Sequence, residues 1–128
     1  MLIGGDGPGT VLVVEDDDSM REAIATLLSL SGYRALLFAS AEAMLAEGAI
    51  DRPLCVISDL HLPAMSGLDL LIELRRRSWP TPVIIMTAFD SPTTRREAMR
   101  RGAVAYMAKP FPGATLLTAI HKISSTAA

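Results

Sequence analysis

Five short apolar runs, each separated from the next by a segment with helical spacing of its apolar residues, constrain this chain more than any other feature. The runs are Thr10–Glu15, Tyr33–Phe38, Leu54–Ser58, Val83–Thr87 and Val104–Ala108. Strands that are apolar almost throughout are buried on both faces, and alternation with helices is how a parallel sheet acquires those two covers. The first intervening helix runs from about Ser19 to Gly32 and aligns Met20, Ala23, Ile24, Leu27 and Leu28. Asp18 or Ser19 is expected to cap it, with Asp17 adding only negative potential. Ser40 caps a short helix through Glu47, Ser66 caps one to about Arg77, and Ser91 with Pro92 opens one that ends at Gly102. Leu116, Leu117, Ile120 and Ile123 form the core stripe of the last helix. The expected fold is α/β: five βα units in a doubly wound, flavodoxin-like parallel sheet of order 2-1-3-4-5.

At 128 residues the chain holds one such domain without disulfide or metal staples. Residues 1–9 read as a flexible lead-in, 10–123 as the domain and 124–128 as a tail or truncated linker, with no internal repeat. The single cysteine, Cys55, lies in an apolar run and reads as a buried hydrophobe. No apolar stretch approaches the roughly 18 residues of a membrane span, so a cytoplasmic location without membrane contact is expected. A formal net charge of −2 gives no general attraction to nucleic acid. Several arginines cluster in two places, Arg75–Arg77 and Arg95, Arg96, Arg100 and Arg101, explained mainly as solvated helix faces and placement near helix C-termini, with a partner-binding surface as the alternative.

Right-handed crossovers bring the C-terminal ends of parallel strands to one edge, where ligands bind between strands one and three. Those ends carry Glu15, Asp16 and Asp59. Three converging carboxylates raise one another's proton affinity unless a cation joins them, and the set suits Mg²⁺, a hard ion that prefers oxygen ligands. Thr87 ends strand four and Lys109 follows strand five, adding a hydroxyl and an ammonium over the same crevice. Such a set fits a phosphoryl group, and an aspartate can be its nucleophilic acceptor. Each residue alone has a plain structural explanation; their joint placement at one edge is what points to chemistry.

At these residues the sequence resembles the receiver domains of two-component response regulators. VLVVEDDDSMR is similar to the acidic first loop, SDLHLPAMSGLDLL to the phosphoacceptor segment, VIIMTAF to the strand of the switch threonine and GAVAYMAKPF to the Lys-Pro segment. The LPAMSGLDLL stretch is most similar to receivers of the FixJ type. The resemblance implies that Asp59 accepts phosphate from a sensor histidine kinase and that Glu15 and Asp16 form the acidic pair. Asp16 and Asp59 would be direct Mg²⁺ ligands, His61 would lend its backbone carbonyl, and Glu15, where aspartate is more usual, would act mainly through water. Thr87 would bind the phosphoryl oxygen, Lys109 would neutralise it, Pro110 would carry a cis peptide, and Tyr106 would move with Thr87. That motion would switch the surface of helix four, strand five and helix five toward an output domain or a homodimer, in transcriptional control. The domain would be a signalling module rather than an enzyme, assisting only its own phosphorylation and dephosphorylation.

Two competing functions remain at this level. A binding-only pseudo-receiver would keep the fold without phosphate chemistry. A small haloacid-dehalogenase-type phosphohydrolase would use Asp16 of the Asp16-Asp17-Asp18 run as nucleophile, but leaves the Asp59–Pro63 segment unexplained.

Overall fold

A computed structural model of the chain describes residues 9–48 and 50–126. The lead-in before Gly9 and the last two residues lie outside the described residues. The elements are β1 (Thr10–Val14), α1 (Asp18–Leu30), β2 (Arg34–Phe38), α2 (Ala41–Glu47), β3 (Cys55–Asp59), α3 (Gly67–Arg76), β4 (Val83–Thr87), α4 (Pro92–Arg100), β5 (Ala105–Ala108) and α5 (Gly113–Thr126). All strand pairings are parallel, in the order β2-β1-β3-β4-β5. This is the doubly wound sheet that the alternation requires. Strand ends differ from the sequence reading by a residue, a difference set by where ladder pairing stops.

Alternation along the strands divides the core into two layers. Leu12, Val14, Val56, Val83 and Ile85 face α2, α3 and α4, where Met44, Leu70, Leu71, Leu74 and Ala98 meet them. Val11, Val13, Cys55, Ile57, Ile84 and Met86 face α1 and α5 and pack on Ile24, Leu28, Leu116 and Ile120. Removing a large side chain such as Leu12 or Ile57 from these layers costs about 2–5 kcal/mol. The contribution of α4 is small, since Ala98 is its one buried residue.

Helix starts follow local chemistry. Ser66 and Asp69 form a reciprocal capping box on α3, at 3.0 and 3.1 Å, and Ser40 and Ser91 cap α2 and α4 as their positions predict. The cap of α1 is different. Asp17 is extended and accepts from the Met20 amide at 2.8 Å, while Asp18 lies in the first turn. Which of two adjacent aspartates caps depends on where the loop stops being extended, and that is fixed by the site at the end of β1. The last helix also runs past residue 123. The hydroxyls of Ser125 and Thr126 donate back to the carbonyls of His121 and Lys122, so this stretch continues α5 rather than beginning a tail. Among the described residues no helix is long and apolar enough to cross a membrane.

Candidate functional site

The end of β1 leads into Glu15 and Asp16, β3 ends at Asp59, β4 at Thr87, and Lys109 follows β5. Because β1 and β3 are neighbours in the sheet, Glu15, Asp16 and Asp59 each place a carboxylate oxygen within 4.8 Å of the others. Glu15 and Asp59 are buried and Asp16 is exposed, so the cluster opens to solvent on the Asp16 side.

Lys109 reaches into this cluster. Its Nζ donates to Glu15 Oε1 at 2.7 Å and to Asp59 Oδ2 at 3.2 Å. Burial raises the proton affinity of Glu15, and the Asp59 charge adds to this against the pull of Lys109. Burial likewise opposes the charge on Lys109, but the carboxylates of Glu15 and Asp59 outweigh it and hold the ammonium above its ordinary pKa. One ammonium beside three carboxylates leaves negative charge in excess. Hard oxygen donors with that excess fit a divalent cation such as Mg²⁺.

Backbone geometry supports these side chains. Arg21 of α1 donates to the Glu15 carbonyl at 2.8 Å and pins the loop after β1. Gly67, the first residue of α3, lies so close to β3 that a Cβ there would fall 2.3 Å from the Asp59 carbonyl oxygen. The Lys109–Pro110 peptide is cis. Thr87 is fully buried and accepts from the Phe89 amide at 3.0 Å. His61 is exposed, and its ring meets Phe89 edge-on with centroids 5.1 Å apart. Its amide lies 3.4 Å from Asp59 Oδ1, a long contact.

Tyr106 stands opposite Ile85 in the β4–β5 register, and Thr87 stands opposite Ala108. Residues two apart share a face, so Thr87 and Tyr106 both point to the side covered by α4. Tyr106 is 7% exposed. Among the described residues its hydroxyl is buried without a well-formed hydrogen bond, with the Asp90 carboxylate and the Ser91 backbone as its polar neighbours. Burial pushes the phenol above its ordinary pKa, and the Asp90 carboxylate adds to this.

The structure thus brings together Glu15, Asp16, Asp59 and Lys109, with Thr87 ending the adjoining strand. Asp17 and Asp18 are engaged elsewhere, as the helix cap and as the partner of Arg21 at 2.6 Å, which leaves no converging Asp-x-Asp pair for a phosphohydrolase. His121 lies on α5, away from the cluster. Sequence reasoning gave no role to Arg21, Gly67 or Phe89, and placed Arg95 mainly among solvated helix residues. Only Gly67 had a usable signal, as a glycine at the start of the capped helix that follows the Asp59 segment. A cavity of about 620 Å³ lies at the opposite sheet edge against Leu54, Trp79 and Pro82, away from the cluster.

Comparison with known proteins agrees with this geometry. The family profile of the response regulator receiver domain matches residues 11–121. The transcriptional regulatory protein FixJ of Azorhizobium caulinodans is 40% identical over 112 residues, 87% of this chain and 53% of that protein. Response regulator protein FleR of Pseudomonas aeruginosa is 42% identical over 112 residues, 88% of this chain and 24% of that protein. The chain therefore spans about half or less of the length of these relatives. The crystal structure of FixJ-N superposes with a TM-score of 0.84 at 33% identity, covering 91% of this chain and 94% of that one. By fold, acidic cluster and sequence, the chain belongs to the response regulator receiver family and is a receiver of the FixJ type.

Proposed function

We propose that Asp59 is the phosphoacceptor, and that a sensor histidine kinase supplies the phosphoryl group. The observation that carries this reading is the Lys109 ammonium shared between Glu15 and Asp59. It ties the one buried strand-end aspartate to a cation able to neutralise a phosphoryl oxygen. An Asp59 carboxylate oxygen attacks phosphorus, the new P–O bond forms as the P–N bond to the kinase imidazole breaks, and that bond's electron pair leaves on nitrogen, which takes up a proton. When bound by Asp16, Asp59 and the His61 backbone carbonyl, with Glu15 acting through water, Mg²⁺ supplies the charge neutralisation that lets two anions meet.

The protein's own groups then hold the product. Lys109 pairs with a phosphoryl oxygen, and the Thr87 hydroxyl donates to another. Pro110 follows Lys109 across a cis peptide. The added group brings a charge of about −1.5 to −2. Drawing Thr87 toward it alters the space beside Tyr106 on the same face of the sheet, and the surface of α4, β5 and α5 responds. Few buried contacts hold α4, so its position costs little to change. That surface would act on an output domain or a second copy in transcriptional control, in the cytoplasm, with no direct nucleic-acid binding by this domain. The domain assists only its own phosphorylation and dephosphorylation.

The test is addition of beryllofluoride, a phosphoryl mimic, with backbone amides followed by NMR. Shifts at Thr87 and Tyr106 that need Mg²⁺, vanish in Asp59→Asn and weaken in Asp16→Asn are expected. An unchanged spectrum in wild type with Mg²⁺ present would overturn the assignment.

A further inference from the structure

The guanidinium carbon of Arg95 lies 4.6 Å from the centroid of the Tyr106 ring. That is within the roughly 6 Å over which a cation and an aromatic face attract. Arg100 and Arg101, on the same side of the sheet, are held by Glu97 through close hydrogen bonds of 2.7 and 2.8 Å. Among the described residues Arg95 has no such partner. Its nearest carboxylate, Asp90, is 3.9 Å away, and the guanidinium rests on the ring instead.

Two tendencies act on Tyr106. Burial of the ring favours the inward setting seen here, and the stacked guanidinium adds to it. The hydroxyl opposes them, because among the described residues it is buried without a well-formed hydrogen bond and would gain one in water. From the α4 side little else holds the ring, since Ala98 is the only core residue of that helix. The inward setting is therefore finely balanced, and a single contact shifts it.

We infer that Arg95 is a positioning residue that holds Tyr106 inward before any phosphoryl group is present, so that the side chain at 95 sets how far the domain is switched at rest. The inference rests on the reading of Thr87 and Tyr106 as the switch, but the holding contact is measurable without phosphate. Because the contact is made through ring and charge, lysine at 95 keeps part of it, whereas glutamine keeps length and polarity and loses it.

The experiment uses the domain without Mg²⁺ or phosphate analogue, in wild type and in Arg95→Lys, Arg95→Gln and Tyr106→Leu. Nitration of Tyr106 by tetranitromethane is followed by peptide mass, with Tyr33, the only other tyrosine, as internal reference. NMR of the Arg95 side chain reports stacking on the ring. The expected result is an Arg95 Nε–H shifted upfield in wild type and not in Tyr106→Leu, with Tyr106 nitrated about threefold to fivefold faster in Arg95→Gln and at an intermediate rate in Arg95→Lys. Equal nitration in wild type, Arg95→Lys and Arg95→Gln, with an unshifted Arg95 Nε–H, would overturn the inference. Repeating the series with beryllofluoride and Mg²⁺ separates the two ideas. Faster nitration in Arg95→Gln that the mimic leaves unaltered supports the holding contact and sinks the switch. Protection by the mimic with no dependence on residue 95 supports the switch and overturns the inference.

Discussion

The Lys109 ammonium lies 2.7 Å from Glu15 Oε1, joining the turn after β5 to the end of β1 across 94 residues of sequence. Glu15 is 1% exposed and the Lys109 side chain 17%, so the pair is substantially shielded. Breaking a buried pair from one side costs more than the pair contributes, because a charge is left without a partner. Lys109→Met should therefore lose on the order of 3 kcal/mol at neutral pH. The same change removes a competing cation from the acidic cluster. Urea midpoints measured with and without millimolar Mg²⁺ should then show a larger metal-induced rise in Lys109→Met than in wild type. Equal rises would mean that lysine and metal do not share the carboxylates.

Gly67 offers a test in which two effects have opposite signs. At an ordinary helix position, glycine to alanine stabilises by up to about 1 kcal/mol. Here the new Cβ would meet the Asp59 carbonyl oxygen at 2.3 Å and Ser58 Oγ at 3.0 Å. Gly67→Ala should destabilise by about 1–3 kcal/mol and displace the end of β3 that carries Asp59. Chemical denaturation gives the sign directly, and a stabilised variant would show that the close approach is relieved at no cost.

The two aspartates at the start of α1 should behave differently. Asp17→Ala removes the side chain that accepts from the Met20 amide and should cost about 1 kcal/mol. Asp18→Ala removes an exposed pair with Arg21 and should stay within about 0.5 kcal/mol of wild type. Thermal midpoints of the two variants decide this.

Stability should fall in alkali. Burial pushes the Cys55 thiol up to about 12 from an ordinary value of 9.0 and raises the phenol of Tyr33 as well. The Lys109 ammonium is also held above its ordinary value. For the thiol and phenol, the unfolded chain loses its proton first as pH rises, so stability present in full below pH 9 declines toward pH 12. For Lys109 the folded state keeps a proton that the unfolded chain has shed, and the sign is the same. Urea midpoints should drop progressively from pH 9 upward, less steeply in Cys55→Ala. An identical slope in that variant would contradict the buried thiol's part.

The sheet, its order and the cluster of Glu15, Asp16, Asp59 and Lys109, with Thr87 ending the adjoining strand, were legible in the sequence for one reason. Each of these residues sits at or just past the end of an apolar run, and parallel topology carries all such ends to one edge. The supporting residues were not legible. Arg21 acts on a backbone carbonyl, Gly67 on a backbone approach, and Arg95 on an aromatic face. Of these only Gly67 left a mark, as a glycine opening a capped helix; the other two relations leave no period or spacing in the chain. The caps were readable where one polar residue preceded a helix, at Ser40, Ser66 and Ser91, and ambiguous where Asp17, Asp18 and Ser19 stood together. The end of α5 was misplaced because serine and threonine suggest fraying, whereas here their hydroxyls bond back to the preceding turn.

The central claim, that Asp59 receives a phosphoryl group with help from a metal held by its neighbours, is tested most directly by intact mass. The domain is incubated with acetyl phosphate, with and without Mg²⁺, as wild type, Asp59→Asn and Asp16→Asn. The account predicts a single phosphoryl mass on wild type only with Mg²⁺, none on Asp59→Asn and a strongly reduced yield on Asp16→Asn. Modification that persists in Asp59→Asn, or a wild-type domain that stays unmodified with Mg²⁺ present, would contradict it.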